Sequence, residues 1–116
     1  MKSDFSIHSK LINEHLVIET NGYINIHGGE SIAKVASSYI DSGVTKIILN
    51  LANSKVINSI GISLLIEVIE KLQVVNGTLY FTNMSPTIEK TFTIMGLFIF
   101  AQKSETVDAI LQQSNS

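Results

Sequence analysis

The sequence of 116 residues contains no cysteine, only one proline and few charged side chains. The absence of cysteine excludes disulfides, thiolate catalysis and cysteine-based metal sites. Lys and Arg number 8 against 10 Asp and Glu, so the net charge is −2. Nucleic acid is therefore not an expected partner, because binding to phosphates requires a basic patch.

Long hydrophobic runs are also missing from the chain. Residues 1–4 carry no apolar signal region, and no apolar run reaches the roughly 20 residues that a membrane span needs. We therefore expect a cytoplasmic protein without membrane insertion. Hydrophobic residues nevertheless make up 45% of the chain and charged residues only 16%. This balance predicts one folded domain over residues 1–116 and argues against disorder.

Runs of β-forming residues alternate with segments of helical period. Residues 5–12 and 16–20 predict two strands, and the short Asn13-Glu14 turn between them favours antiparallel pairing. The compact apolar run 46–51 predicts a central strand that is covered on both faces. Two further strands are predicted at residues 78–82 and 97–100.

Four helices are predicted between and after these strands. The first is marked by apolar residues at helical spacing from Ile32 to Ile40, with Asn25 as its candidate cap. The others follow Ser59, begin at Ser85-Pro86 and run through residues 107–111, and a polar tail occupies 112–116. The order ββαβαβαβα predicts an α/β domain, in which about four helices pack on a mixed sheet of about five strands.

The segment from residue 56 to residue 72 is the centre of the functional prediction. Ser59 stands just before an amphipathic helix, and its side chain predicts an N-cap there. Leu64 and Val68 lie beside the apolar face of this helix. Contact with a neighbouring helix and a partner-binding patch beside Ser59 are both compatible with that position.

Several short segments, in order along nearly the whole chain, carry a resemblance to a known family. They are Gly22-Tyr23-Ile24-Asn25, the run 46–51 with Asn50, Asn58-Ser59-Ile60-Gly61-Ile62, Asn83-Met84-Ser85-Pro86 and Gly96-Leu97. In this order and at these separations they resemble the STAS domain, specifically that of bacterial anti-sigma factor antagonists. The third segment is similar to the family's Asp-Ser-Ser-Gly signature, which is followed by an aliphatic residue and a long helix.

The resemblance implies a function for Ser59. In the family, the matching serine is phosphorylated by an anti-sigma factor that is also a serine kinase. The unphosphorylated antagonist binds this anti-sigma factor and thereby frees a sigma factor; a phosphatase reverses the phosphorylation. The partner-binding surface is expected to include Asn25, Asn58, Ser59, Ile60, Gly61, Ser63, Leu64 and Val68.

The chain departs from the family at positions around this serine. Asn25, Asn50 and Asn58 stand where the family usually has aspartate, and Ile60 replaces the second serine of the signature. Less negative charge is therefore expected around Ser59. An unusual partner, or a scaffold whose serine is not modified, would each fit these changes.

Other classes of function are weakly indicated. No Ser/His/Asp set is recognisable, so we do not expect an enzyme. No cofactor is expected, and His8, His15 and His27 lack the spacing of metal ligands. The alternative to a switched antagonist is a STAS scaffold or accessory subunit without a phosphorylation cycle, in a stress-sensing or lipid-transport complex. A monomer or weak homodimer is expected in either case.

Overall fold

A computed structural model describes residues 5–114. Its sheet contains five strands: β1 (Ser6–Ile12), β2 (His15–Asn21), β3 (Lys46–Asn53), β4 (Thr78–Thr82) and β5 (Gln102–Ser104). They lie side by side in chain order, with β1 antiparallel to β2 and all other neighbours parallel. The predicted mixed sheet of five strands is therefore confirmed.

Four helices complete the predicted order: α1 (Ile26–Asp41), α2 (Ser59–Val74), α3 (Pro86–Ile94) and α4 (Val107–Ser114). Residues 112–114 belong to α4, although the sequence placed them in a polar tail. Residues 1–4 and 115–116 of the predicted domain lie outside the described residues. Among the helices between residues 5 and 114, none has both the length and the apolar character that crossing a membrane requires.

The prediction of a strand at residues 97–100 was wrong. Gly96 adopts a left-handed conformation with φ 79°, and a 3₁₀ turn follows at Leu97–Ile99. Leu97 is buried, whereas Ile99 and Phe100 are both exposed, so the run lacks the alternation of a half-buried strand. The last strand is instead the polar β5, which carries little hydrophobic signal in the sequence.

The helices cover the two faces of the sheet unequally. Alternate residues of β2, β3 and β4 face the main core, where they pack against α1, α2 and α3. On the other face α4 contributes Ile110 to a small cluster with Val17 and Ile48. The parallel strands β2, β3 and β4 end at one edge of the sheet, so the loops that follow them are brought together there.

An aromatic cluster holds α3 against the sheet. The ring of Phe92 lies 4.9 Å from that of Phe81, between ring centroids, and both side chains are fully buried. We predict that Phe92→Ala lowers the free energy of unfolding by about 3–5 kcal/mol, because it leaves a cavity. Urea denaturation measures this change. Val74→Ala is the control, since Val74 is 85% exposed; an equal loss in both variants would contradict the assigned core.

Candidate functional site

The first turns of α1 and α2 lie next to each other at the carboxyl edge of the sheet. Ile24 and Ile57, in the loops before the two helices, form an isolated parallel bridge. The amide N of Ile24 donates to the carbonyl O of Val56 at 3.0 Å, and the amide N of Asn58 donates to the carbonyl O of Ile24 at 3.2 Å. These bonds fix the start of α2 relative to the start of α1.

Asn58, and not Ser59, caps α2. Asn58 is extended, and its Oδ1 accepts a hydrogen bond from the amide N of Gly61 at 2.8 Å. Ser59 is the first residue of the helix itself. The predicted serine cap was therefore wrong by one position, because asparagine and serine are both good caps and the local sequence offered them side by side.

Asn25 repeats this arrangement at the start of α1. Its Oδ1 accepts from the amide N of Gly28 at 3.1 Å, which confirms the predicted cap. Asn50 plays a different part, because it lies in β3 and its Oδ1 accepts from the amide N of Ala52 at 3.0 Å. Asn25 and Asn58 thus cap the adjoining helices, whereas Asn50 shapes the end of a strand.

Two glycines allow the helices to approach this closely. A Cβ atom on Gly61 would overlap the carbonyl oxygen of Ile24. A Cβ atom on Gly29 would lie 2.6 Å from Cδ1 of Leu64 and 3.3 Å from Cα of Gly61. Gly61 is buried. It can therefore position the residues of a partner-binding surface, but it does not contact the partner itself.

The hydroxyl of Ser59 is presented to solvent. Ser59 is exposed, and its hydroxyl makes no hydrogen bond with any residue between 5 and 114. Its carbonyl oxygen accepts from the Oγ of Ser63 at 3.0 Å. The first amide groups of a helix have no partner within the helix, and they favour negative charge at this end. The position is therefore suited to carry a phosphate.

The shoulder of α2 mostly packs inside the domain. Val68 is only 4% exposed, and Leu64 is partly buried against Gly29. A groove of about 450 Å³ between α1 and α2 is lined by these two side chains together with Glu30, Ala33, Lys34, Ser37, Ile40, Glu67 and Lys71. Contact with the neighbouring helix accounts for Val68, so its prediction as an exposed partner contact is corrected.

Four exposed apolar side chains lie in the neighbouring loops before α1 and α2 or in the first turns of these helices, and we refer to them as the apolar rim. Tyr23 is 45% exposed, Ile26 43%, Val56 58% and Ile60 49%. The first turns of α1 and α2 contain no acidic residue. Only Ile60 was predicted, because the sequence shows that the other three are apolar but not that the two loops leave them uncovered.

A buried pair of hydroxyls supports the loop before α2. The Oγ1 of Thr20 and the Oγ of Ser54 lie 2.7 Å apart, and the two residues are 2% and 0% exposed. This hydrogen bond links the end of β2 to the loop after β3. It was not predicted, since a serine in a loop gives no sign of burial.

The arrangement is suited to recognition and modification. The hydroxyl of Ser59 has no hydrogen-bonded base among the described residues, whereas an activated nucleophile has such a base within reach. Between residues 5 and 114, no group of three or more His, Asp or Glu side chains is placed to hold a metal ion. What the site offers is the exposed hydroxyl of Ser59 at a helix start, next to the apolar rim.

Sequence comparison agrees with the geometry. The profile of the STAS domain family matches residues 6–110. An anti-sigma F factor antagonist from Lysinibacillus sphaericus is 31% identical over 101 residues, which cover 84% of this chain and 86% of that protein. The matched region contains β1 to β5 and the candidate site.

Solved structures share the fold. A proposed anti-sigma factor antagonist from Thermotoga maritima superposes with a TM-score of 0.85 at 15% identity, and 95% of each chain is covered. The phosphorylated form of SpoIIAA, a cell fate determinant of Bacillus, superposes with a TM-score of 0.74 at 28% identity. That match covers 92% of this chain and 98% of the other.

The close contact at Gly61 generates a stability prediction. Gly61→Ala forces a methyl group against the carbonyl oxygen of Ile24 and should lower the free energy of unfolding by about 1–3 kcal/mol. Thermal and urea denaturation measure the loss. Ser63→Ala is the control on the same helix, because Ser63 is exposed. A Gly61→Ala protein as stable as the control would show that the two helices can separate without cost.

Proposed function

The chain belongs to the anti-sigma factor antagonist family of STAS domain proteins, and from that membership we propose that it binds an anti-sigma factor and so frees a sigma factor. The anti-sigma factor is proposed to be a serine kinase that phosphorylates Ser59 and ends the complex. A phosphatase that acts on phosphorylated Ser59 restores binding. The observation that carries this proposal is the exposed Ser59 hydroxyl at the start of α2, next to the apolar rim.

The proposed binding surface has an exposed part and a supporting part. Ser59, Ile60 and Ser63 are exposed, and Asn58 and Leu64 are partly buried beside them. The rest of the apolar rim extends this surface over the loops before α1 and α2. The supporting part is buried: Gly61 and Val68 hold α2 against α1, and the Asn25 cap holds the first turn of α1.

Phosphorylation would act on the interface and leave the fold unchanged. A phosphate adds a charge of about −1.5 to −2 at neutral pH. The start of α2 favours that charge by roughly 0.3–1 kcal/mol, so the isolated domain tolerates it. Against an apolar partner surface, the same charge loses its water without gaining a matched cation, at a cost of several kcal/mol. Since about 1.4 kcal/mol is a tenfold change in affinity, this cost is enough to abolish binding.

One relative supports the switch. The structure of SpoIIAA that is 28% identical to this chain is of the phosphorylated form. Its fold matches the unphosphorylated chain described here with a TM-score of 0.74. This agrees with a switch in which the phosphate changes the surface charge and the domain keeps its fold.

The side-chain amides of Asn25 and Asn58 determine what kind of contact the site can make with the anti-sigma factor. Asn25 and Asn58 keep the capping oxygen of an aspartate but carry no charge. A basic patch on the partner would therefore gain little from this side of the interface. We infer that the contact relies on the apolar rim, and that its affinity depends only weakly on salt concentration.

Variants of Ser59 test the switch. Ser59→Ala should bind the cognate anti-sigma factor within a few-fold of the wild type, because it removes only a small polar group. Ser59→Asp places a carboxylate at the apolar interface and should weaken binding by at least about tenfold. Calorimetric titration of each variant against the cognate anti-sigma factor kinase measures both affinities.

Val74→Asp is the matched control, because it places the same charge at the far end of α2, on a residue that is 85% exposed and lies outside the proposed binding surface. Equal affinity of the wild type, Ser59→Ala and Ser59→Asp would refute the switch. If all of them bound equally well to components of a stress-sensing or lipid-transport complex, the alternative of an unswitched STAS scaffold or accessory subunit would replace the proposal.

A second experiment tests the apolar rim. Ile60→Ser restores the residue type that the family usually carries and removes an exposed aliphatic side chain beside Ser59. We expect at least about tenfold weaker binding to the anti-sigma factor, because burial of an isoleucine contributes roughly 1.5–3 kcal/mol. Val74→Ser is the control, since Val74 is 85% exposed at the far end of α2. Unchanged affinity for Ile60→Ser would show that the rim is not part of the interface.

A further inference from the structure

The strands β2 and β3 fall out of register just before the candidate site. Glu19 pairs with Asn50, and Asn21 pairs with Asn53. One residue lies between these pairs on β2 and two lie between them on β3, which makes this a β-bulge. A bulge bends its strand and redirects the side chains that follow it. This bulge lies at the carboxyl edge of the sheet, where β3 passes into the loop that leads to Ser59.

The bulge brings two hydroxyl groups together in the interior. Thr20 is the residue of β2 opposite the bulge, and its Oγ1 lies 2.7 Å from the Oγ of Ser54. The same Oγ1 lies 3.5 Å from the carbonyl oxygen of Asn50. Thr20 and Ser54 are both buried. Each hydroxyl therefore relies on the other for its short hydrogen bond, because water does not reach either of them.

Ser54 fastens the loop before α2 to the interior. It alone is buried among residues 52–60. Its hydroxyl is also the only side-chain group of residues 52–57 that makes a hydrogen bond within the described part of the chain. Ahead of Ile57, which packs against the main core, this one side chain connects the loop to the core, and it depends on Thr20 for its partner.

The pair lies at the start of two parallel segments that lead to the candidate site. Residues 20–24 begin at Thr20 and residues 54–58 begin at Ser54. The segments meet again where the amide N of Asn58 donates to the carbonyl O of Ile24 at 3.2 Å. The bonds between them join backbone atoms beside exposed loop residues, so water replaces these bonds more easily than it reaches the buried pair.

We propose that the Thr20–Ser54 pair is a positioning pair for Ser59, a role that rests on the proposed function. By holding the loop in one conformation, the pair keeps Ser59 and the apolar rim in the arrangement that the anti-sigma factor kinase binds. A loop that visits other conformations lowers the population of the competent one, and the apparent affinity falls by the same factor. Neither hydroxyl touches the partner, and both act through the backbone of the loop.

Three variants separate this role from a contribution to stability. Thr20→Val leaves the Ser54 hydroxyl buried without a partner, so it should lower the melting temperature by several degrees. The double variant Thr20→Val/Ser54→Ala leaves neither hydroxyl of the pair in place, and it should recover most of that loss. Thr20→Ser keeps the hydroxyl and is the conservative variant.

Phosphorylation of the full chain by the cognate anti-sigma factor kinase and ATP is the functional readout. In the double variant the KM for the protein should rise at least about fivefold while kcat stays within about twofold, because the kinase meets fewer chains in the competent conformation. Thr20→Ser should keep the KM within about twofold of the wild type. A purely structural role predicts instead that the KM recovers together with the melting temperature.

Thr82→Val is the matched control. Thr82 is another buried threonine at the carboxyl end of a strand, and its Oγ1 donates to the carbonyl O of Leu49 at 3.5 Å, away from the loop. This variant should leave the KM unchanged, whatever its effect on the melting temperature. An equal rise of the KM in Thr82→Val, or a wild-type KM in the double variant, would overturn the proposal.

Amide hydrogen exchange tests the loop itself without a partner. The amides of Ile24 and Asn58 donate across the two segments. In the double variant they should exchange at least about tenfold faster than in the wild type, while the amides of residues 47–49 in the central strand β3 keep their rates. Unchanged exchange at Ile24 and Asn58 would overturn the proposal, even if the KM rose. A wild type that the kinase does not phosphorylate would count against the proposed function, whereas the exchange rates would still decide whether the pair holds the loop.

Discussion

The site depends on a backbone contact between the first turns of α1 and α2. Gly61 lies against the carbonyl oxygen of Ile24, and Gly29 lies against Gly61 and Leu64. No side chain fits between the two helices at this point. The hydrogen bonds between residues 24, 56 and 58 then set the direction in which α2 leaves the sheet. The position of Ser59 follows from these contacts, although Ser59 itself makes few.

The surroundings of Ser59 tolerate a phosphate in the free domain but make the same charge costly once a partner protein covers it. The helix start accepts negative charge, and its cap is an uncharged amide. Exposed apolar side chains lie beside it in the loops and first turns of α1 and α2, and Lys55 and His27 are exposed there as well. A charge that costs the domain little therefore costs a complex much, which is the asymmetry that a binding switch requires. With aspartate at positions 25 and 58, electrostatic contact with a basic partner would contribute more.

Most of the fold could be predicted from the sequence, because each long element has a clear hydrophobic period. The apolar run 46–51 predicted β3, and the spacing from Ile32 to Ile40 predicted α1. The short polar strand β5 was missed, because Gln102–Ser104 carries no hydrophobic pattern. The apolar run after Gly96 was assigned to a strand in its place, since sequence alone does not show that Gly96 turns the chain into a 3₁₀ turn.

The sequence predicted the right segment for the site but assigned some of its residues the wrong structural role. The resemblance to the family located Ser59, and the cap was misplaced because Asn58 and Ser59 are both competent. Val68 is covered by the neighbouring helix, and Tyr23, Ile26 and Val56 are uncovered. Both facts follow from how closely α1 and α2 pack, and this distance is set by contacts between residues far apart in sequence.

The central claim is that a phosphate on Ser59 prevents binding and leaves the fold unchanged. The most direct test starts by incubating the protein with the anti-sigma factor kinase and ATP. Mass spectrometry of the Ser59 peptide then locates the phosphate, and titration of the purified phosphorylated protein against the anti-sigma factor measures its affinity. We predict a single phosphate on Ser59, an affinity at least about tenfold lower and a melting temperature within a few degrees of the unmodified protein. Undiminished affinity of the phosphorylated protein, or a phosphate on another residue, would contradict the claim.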